Sequence, residues 1–133
     1  MNLNFDTGVK SYNVNGVADA IRFNPADGGF LKRLLGTFEK MTELQKSVSP
    51  DDGDSLESLV KFDADASAEI DALFGEGTCH LIFGDVSLGS VANGLPVWMN
   101  FLLAIIDECD EAISEAKTSA SPALQKYLKK YGK

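Results

Sequence analysis

Phe23-Asn24-Pro25-Ala26-Asp27-Gly28-Gly29-Phe30 sets the architecture of this chain, because a strand-like segment stops inside it and a long amphipathic helix begins. Pro25 biases Asn24 away from helical dihedrals, and the Asp27 carboxylate is placed to accept hydrogen bonds from the unpaired amides of the next turn. From there Phe30, Leu31, Leu34, Leu35, Phe38, Met41, Leu44 and Val48 recur at three- and four-residue steps. That spacing predicts a helix with one buried face. Gly36 inside it costs about 1 kcal/mol relative to alanine, so close approach by a neighbouring element is expected there.

On the N-terminal side, Leu3, Phe5, Val9, Tyr12 and Val14 alternate loosely with polar residues around Asp6-Thr7-Gly8 and Asn13-Val14-Asn15-Gly16. These are hairpin-closing turn residues, and two or three short strands are expected, the last over 20–23. On the C-terminal side, Ser49-Pro50-Asp51-Asp52-Gly53-Asp54 ends the first helix in an acidic loop. A second helical region follows through Leu56, Leu59, Val60, Ala64, Ala66, Ile70, Leu73 and Phe74, with an interruption expected near Phe62-Asp63 and a stop at Gly75. Residues 78–83 read as a helical turn or a strand, and 84–96, with three glycines, as an exposed mobile loop. Gly94-Leu95-Pro96 opens a last long helix on the stripe Trp98, Leu102, Ile105, Cys109, Ala112 and Ala116. Leu124, Tyr127, Leu128 and Tyr131 then mark a final short helix or a tail. The expected fold is mainly α with a small N-terminal β element (α+β), a helical single domain. Residues 1–24 form its hairpin region, 27–117 the helical body and 118–133 a basic C-terminal segment.

A chain of 133 residues can bury a core without covalent staples, and 44% hydrophobic with 24% charged residues is ordinary globular usage. The formal charge of −8 repels phosphate backbones and anionic lipid, so neither nucleic acid nor a membrane surface is an expected partner. Its distribution is uneven: all twenty acidic residues precede residue 117, while Lys117, Lys126, Lys129, Lys130 and Lys133 follow with no acid among them. The apolar run over 97–106 is too short to span a bilayer, where roughly 20 residues are needed. Two cysteines make no disulfide framework, the first residues do not resemble a cleavable signal, and a reducing cytosol is the expected compartment.

Chemistry finds no foothold in the pattern. Cys79 and His80 are adjacent, so their side chains diverge on either a strand or a helix and cannot form a nucleophile-base pair. A small hydrolase using Cys79 with a carboxylate such as Asp85 is the enzymatic alternative, and it requires a reachable thiol of lowered pKa. Cys79, His80 and Cys109 lack the paired spacing of a zinc site. Asp63, Asp65, Ser67 and Asp71 imitate part of a calcium loop, but Ala68 and Phe74 stand where it needs Gly and Glu; Asp63 and Asp65 read instead as helix-start carboxylates. No catalytic residue, metal or cofactor is expected. Phe30, Phe38, Trp98 and Phe101 read first as core and otherwise as a protein-binding surface, since two greasy helices, a thinner one and a hairpin can leave apolar stripe uncovered.

The order of segments resembles small tail-assembly-chaperone proteins from the tail gene clusters of long-tailed phages and prophages of Gram-positive bacteria. The resemblance is carried by residues 21–27 leading into Phe30-Leu31-Lys32-Arg33-Leu34, then Phe38-Glu39-Lys40-Met41-Thr42-Glu43-Leu44. It continues through 70–78, Ile82-Phe83-Gly84 and the closing helix with Trp98, Asn100, Phe101 and Leu102. It implies a non-enzymatic protein of the host bacterial cytoplasm that keeps the tape-measure protein soluble and recruits tail-tube subunits. A structural tail component of the virion is the alternative, and a homo-oligomer is compatible with either.

Overall fold

The computed structural model describes residues 1–48 and 55–118, so the acidic loop and the basic C-terminal segment lie outside the described residues. The chain is mainly α with a small N-terminal β element. Strands β1 (Lys10–Val14) and β2 (Val17–Phe23) form an antiparallel hairpin closed at Asn15-Gly16. Both turn residues have positive φ, 48° and 85°, the type I′ geometry whose twist matches the flanking strands. The register slips between Tyr12↔Ile21 and Val14↔Val17. Asp19 lies in the slip at φ 50°, and its N–H donates to Asn13 Oδ1 at 2.9 Å, so the bulge leaves that amide satisfied. Leu3 and Phe5 belong to no strand: pairing begins at Lys10.

Helix α1 (Gly28–Lys46) starts as expected, with the Asp27 carboxylate accepting from the Gly29 N–H at 2.9 Å. Asn24 organises the entry: its Oδ1 accepts from the Ala26 N–H, and its Nδ2 donates to the Thr7 carbonyl. Gly36 does not have the expected close neighbour, since a Cβ there would meet nothing within 4 Å. The residue only loosens the helix, and Gly36→Ala is expected to raise stability by about 0.5–1 kcal/mol, read as a higher denaturant midpoint at unchanged slope.

Helix α2 (Ser55–Phe74) is continuous through Phe62 and Asp63, contrary to the expected interruption. Phe62 is buried in the core, and Asp63 faces a later segment rather than opening a helix. After Gly75, α3 (Thr78–Phe83) makes the short helical turn. Asp71 fixes the corner, its two carboxylate oxygens accepting from the Gly77 and Cys79 amides at 3.1 and 2.9 Å.

Residues 84–96 are not the plain exposed loop expected from their glycines. Leu88 is buried, and Asp63 Oδ1 accepts from both the Ser87 hydroxyl and the Leu88 amide at 3.0 Å. A second small hairpin, β3 (Val91–Ala92) with β4 (Leu95–Pro96), closes at Asn93-Gly94, again with two positive φ angles. The Leu88 and Ser90 carbonyls then accept from the Trp98 and Val97 amides, satisfying the start of α4 (Val97–Thr118). Asp63→Ala leaves the buried Leu88 N–H unpaired; it is expected to cost about 1–3 kcal/mol and to speed hydrogen exchange selectively at Leu88.

The core lies where α1, α2, α4 and the inner face of β2 meet. Leu34, Met41, Ala66, Ile70, Trp98, Leu102 and Cys109 are wholly buried at its centre. An aromatic chain runs through it: Tyr12 stacks on Phe23 at 4.4 Å, Phe23 on Phe30 at 4.7 Å, and Phe74 bridges Phe30 to Phe101. Among the described residues no buried side-chain polar atom lacks a hydrogen-bond partner, and no helix is long and apolar enough to cross a membrane.

Candidate protein-binding surface

The four aromatic residues singled out from the sequence lie inward. Phe30, Trp98 and Phe101 are buried, and Phe38 is half-buried, edge-on to Trp98 at 5.5 Å. Trp98 also donates its indole N–H to Gln45 Oε1 at 3.0 Å, so α4 is keyed to α1 by both ring and hydrogen bond. Phe38 and Trp98 hold α1 to α4, while Phe30 packs on Phe23 and Phe74, and Phe101 on Phe74 and Phe83. They present little surface to a partner.

Cys79 and His80 line a hollow of about 300 Å3 together with Asp63, Ser67 and Asp85. No hydrogen bond joins Cys79, His80 and Asp85 among the described residues: the Asp63 carboxylate is held by Ser87 and Leu88, and His80 is exposed on the outer side of α3. Burial pushes the Cys79 thiol up; the Ser67 hydroxyl pulls it back, and the charges of Asp71 and Asp63 push it further up. A thiol held protonated in this way is the opposite of an activated nucleophile. Cys109, also buried, is pushed up by the same loss of solvent and by Glu108. No three His, Cys, Asp or Glu side chains among the described residues gather as metal ligands.

Exposed apolar side chains lie elsewhere. Leu3 and Phe5 are 90% and 81% exposed, on an N-terminal arm outside any strand that the Thr7 carbonyl ties to Asn24. Gly8, at φ 80°, packs so closely on the Asn24 amide that a Cβ would meet Nδ2 at 2.6 Å, which fixes where the arm leaves the body. Leu56 and Val60 stand exposed on the first turns of α2, and Leu81 and Val86 around the end of α3. Leu3 and Phe5 alternate as strand residues do, yet residues 1–9 form no strand.

A further concavity of about 290 Å3 lies between the hairpin and α4, with Tyr12, Val14, Phe101, Ala104, Ile105 and Glu108 on its walls. The Tyr12 hydroxyl donates to Glu108 Oε2 at 2.7 Å across it, clamping hairpin to helix. Burial, then the Glu108 hydrogen bond and charge, push the Tyr12 phenol above its ordinary range, so it remains a neutral donor.

Among the described residues, exposed apolar side chains lie on the N-terminal arm, at the start of α2 and around the end of α3. Comparison with protein-family models, curated proteins and solved structures finds no match.

Proposed function

We propose that this chain is a non-enzymatic phage or prophage tail morphogenesis protein, a tail-assembly chaperone that binds tape-measure and tail-tube proteins. The observation that carries the protein-binding part is the arm: Leu3 and Phe5, at alternating positions of a segment that pairs with no strand, are exposed above an anchored base, while the core aromatics are already spent. An extended segment with side chains at period two is suited to strand addition, in which main-chain hydrogen bonds give affinity and alternate side chains give selectivity. The acidic body keeps such a surface soluble by mutual repulsion. The tail-assembly part is supported by the order of segments from Phe23-Asn24-Pro25 to the Trp98 helix.

Co-expression with the tape-measure and tail-tube proteins, followed by affinity capture of this chain, tests the assignment. A complex with at least one of them is expected, and its absence with both overturns the chaperone assignment. Mass spectrometry of purified particles separates the virion alternative, because a chaperone is expected to be absent from them.

A further inference from the structure

Helices α1 and α2 leave an open groove of about 720 Å3 between them, with Gly36 and Leu44 of α1 and Ala68 of α2 in its lining. Gly36 and Ala68 are both exposed. Inside the chain Gly36 does nothing but loosen α1, since a side chain there would touch no neighbour. Small residues on a helix surface let a second helix axis come close, toward the short end of the roughly 8–10 Å range of interaxial distances. The rest of the lining is charged and mostly acidic: Glu39, Glu43, Asp65 and Glu69, with Lys40 as its cation. Lys40, Lys46 and Lys61 reach Glu69, Glu43 and Asp65 at 3.7, 3.5 and 2.7 Å, but these lysine side chains are 70%, 69% and 79% exposed. Ion pairs so open to water are weak, and an incoming cation can replace them. Among the described residues Glu39 has no ion pair.

We propose that this groove seats a cationic helix of a partner protein, laid along α1 and α2 with a small or apolar face on Gly36 and Ala68 and lysine or arginine on its flanks. Charge selects this occupant. A second copy brings the same carboxylates to the contact, and phosphate or anionic lipid is repelled in the same way. The walls also select it: two helices offer no sheet edge to a strand, whereas a third helix packs its side-chain ridges into the groove of a pair. From Gly36 to Leu44 the groove runs about 12 Å, so about two turns of the partner helix cover it. An amphipathic helix whose apolar side lies in such a groove is read through anchors three and four residues apart, with the flanking cations fixing its register. This seat is independent of the tail-assembly reading and of Leu3 and Phe5.

A synthetic alanine- and leucine-rich helical peptide of about 15 residues, with lysines flanking its apolar face, tests it when titrated into the full chain and followed by backbone amide NMR shifts. The largest shifts are expected at residues 36–44 and 65–69, and the same peptide with glutamates in place of lysines is expected to leave them unmoved. Gly36→Gln fills the seat with a good helix former. Its thermal midpoint is expected at or above the parent's, and its affinity for the lysine peptide at least tenfold lower. A Gly36→Gln chain that binds as tightly as the parent, shifts concentrated at residues 107–115 of α4, or no response to the lysine peptide overturns the proposal. Shifts at 36–44 on concentrating the chain alone would give the groove to a second copy and overturn it as well.

Discussion

Replacing Trp98 with alanine is expected to remove about 3–5 kcal/mol of stability, the range for deleting a fully buried large aromatic side chain. Three losses coincide at this position. The ring has no solvent exposure, so its removal opens a cavity at the centre of the core rather than at its margin. Phe38 loses its edge-on partner at 5.5 Å, and the Gln45 amide loses the indole donor. A domain of this size has about 5–15 kcal/mol in total, so the variant sits near the unfolding threshold. Trp98 is the sole tryptophan, so urea unfolding followed by circular dichroism is the measurement. Trp98→Phe keeps most of the ring and forfeits the hydrogen bond; a cost nearer 1–2 kcal/mol is expected. Equal midpoints for Trp98→Ala and the parent chain would remove α1–α4 keying from the account.

Phe23→Ala is the second large effect, again about 3–5 kcal/mol, with a different structural outcome. Phe23 is the side chain through which the hairpin grips the helices. It stacks on Tyr12 within the hairpin and on Phe30 of α1, and lies 6.2 Å from Phe74 of α2. A two-stranded hairpin is marginal by itself, so loss of this grip frees the hairpin before the helices melt. Hydrogen exchange is expected to lose protection first at β1 and β2, while the centres of α1 and α4 retain it. Uniform loss of protection across all elements would show instead that hairpin and helices unfold as one unit.

These two sites also show how far the sequence could be read. Both long stripes were legible because α1 and α4 each bury one face, and a local repeat of three and four records that burial. Asp27 was legible because capping is local: donor and acceptor lie two residues apart. The role of Asp63 was not legible, for the opposite reason. Its partners, Ser87 and Leu88, lie 24 and 25 residues downstream, so an aspartate inside a helix looked like a helix start. The second hairpin was within reach, since Asn93-Gly94 repeats the Asn15-Gly16 signal that marked the first. It was obscured by strands of only two residues each.

The binding surface was less legible than the fold. Aromatic content pointed to Phe30, Phe38, Trp98 and Phe101, but a large ring on a helical stripe has the same pattern whether it fills a core or awaits a partner. Leu3 and Phe5 carry the alternation of a strand, and sequence cannot tell a paired strand from an unpaired one. The difference depends on whether hydrogen-bonding neighbours reach residues 1–9, and β1 pairs only with β2 from Lys10 onward. The Tyr12–Glu108 clamp was beyond sequence reading altogether, joining residues 96 apart.

Affinity capture of tape-measure and tail-tube proteins by a Leu3→Ser/Phe5→Ser chain, beside the parent, tests the central claim most directly. Both side chains are exposed and outside the core, so the thermal midpoint is expected to stay within about 2 °C of the parent. The captured complex is expected to fall at least tenfold. Capture undiminished at an unchanged midpoint would contradict the claim that this protein works by offering the apolar arm to another macromolecule.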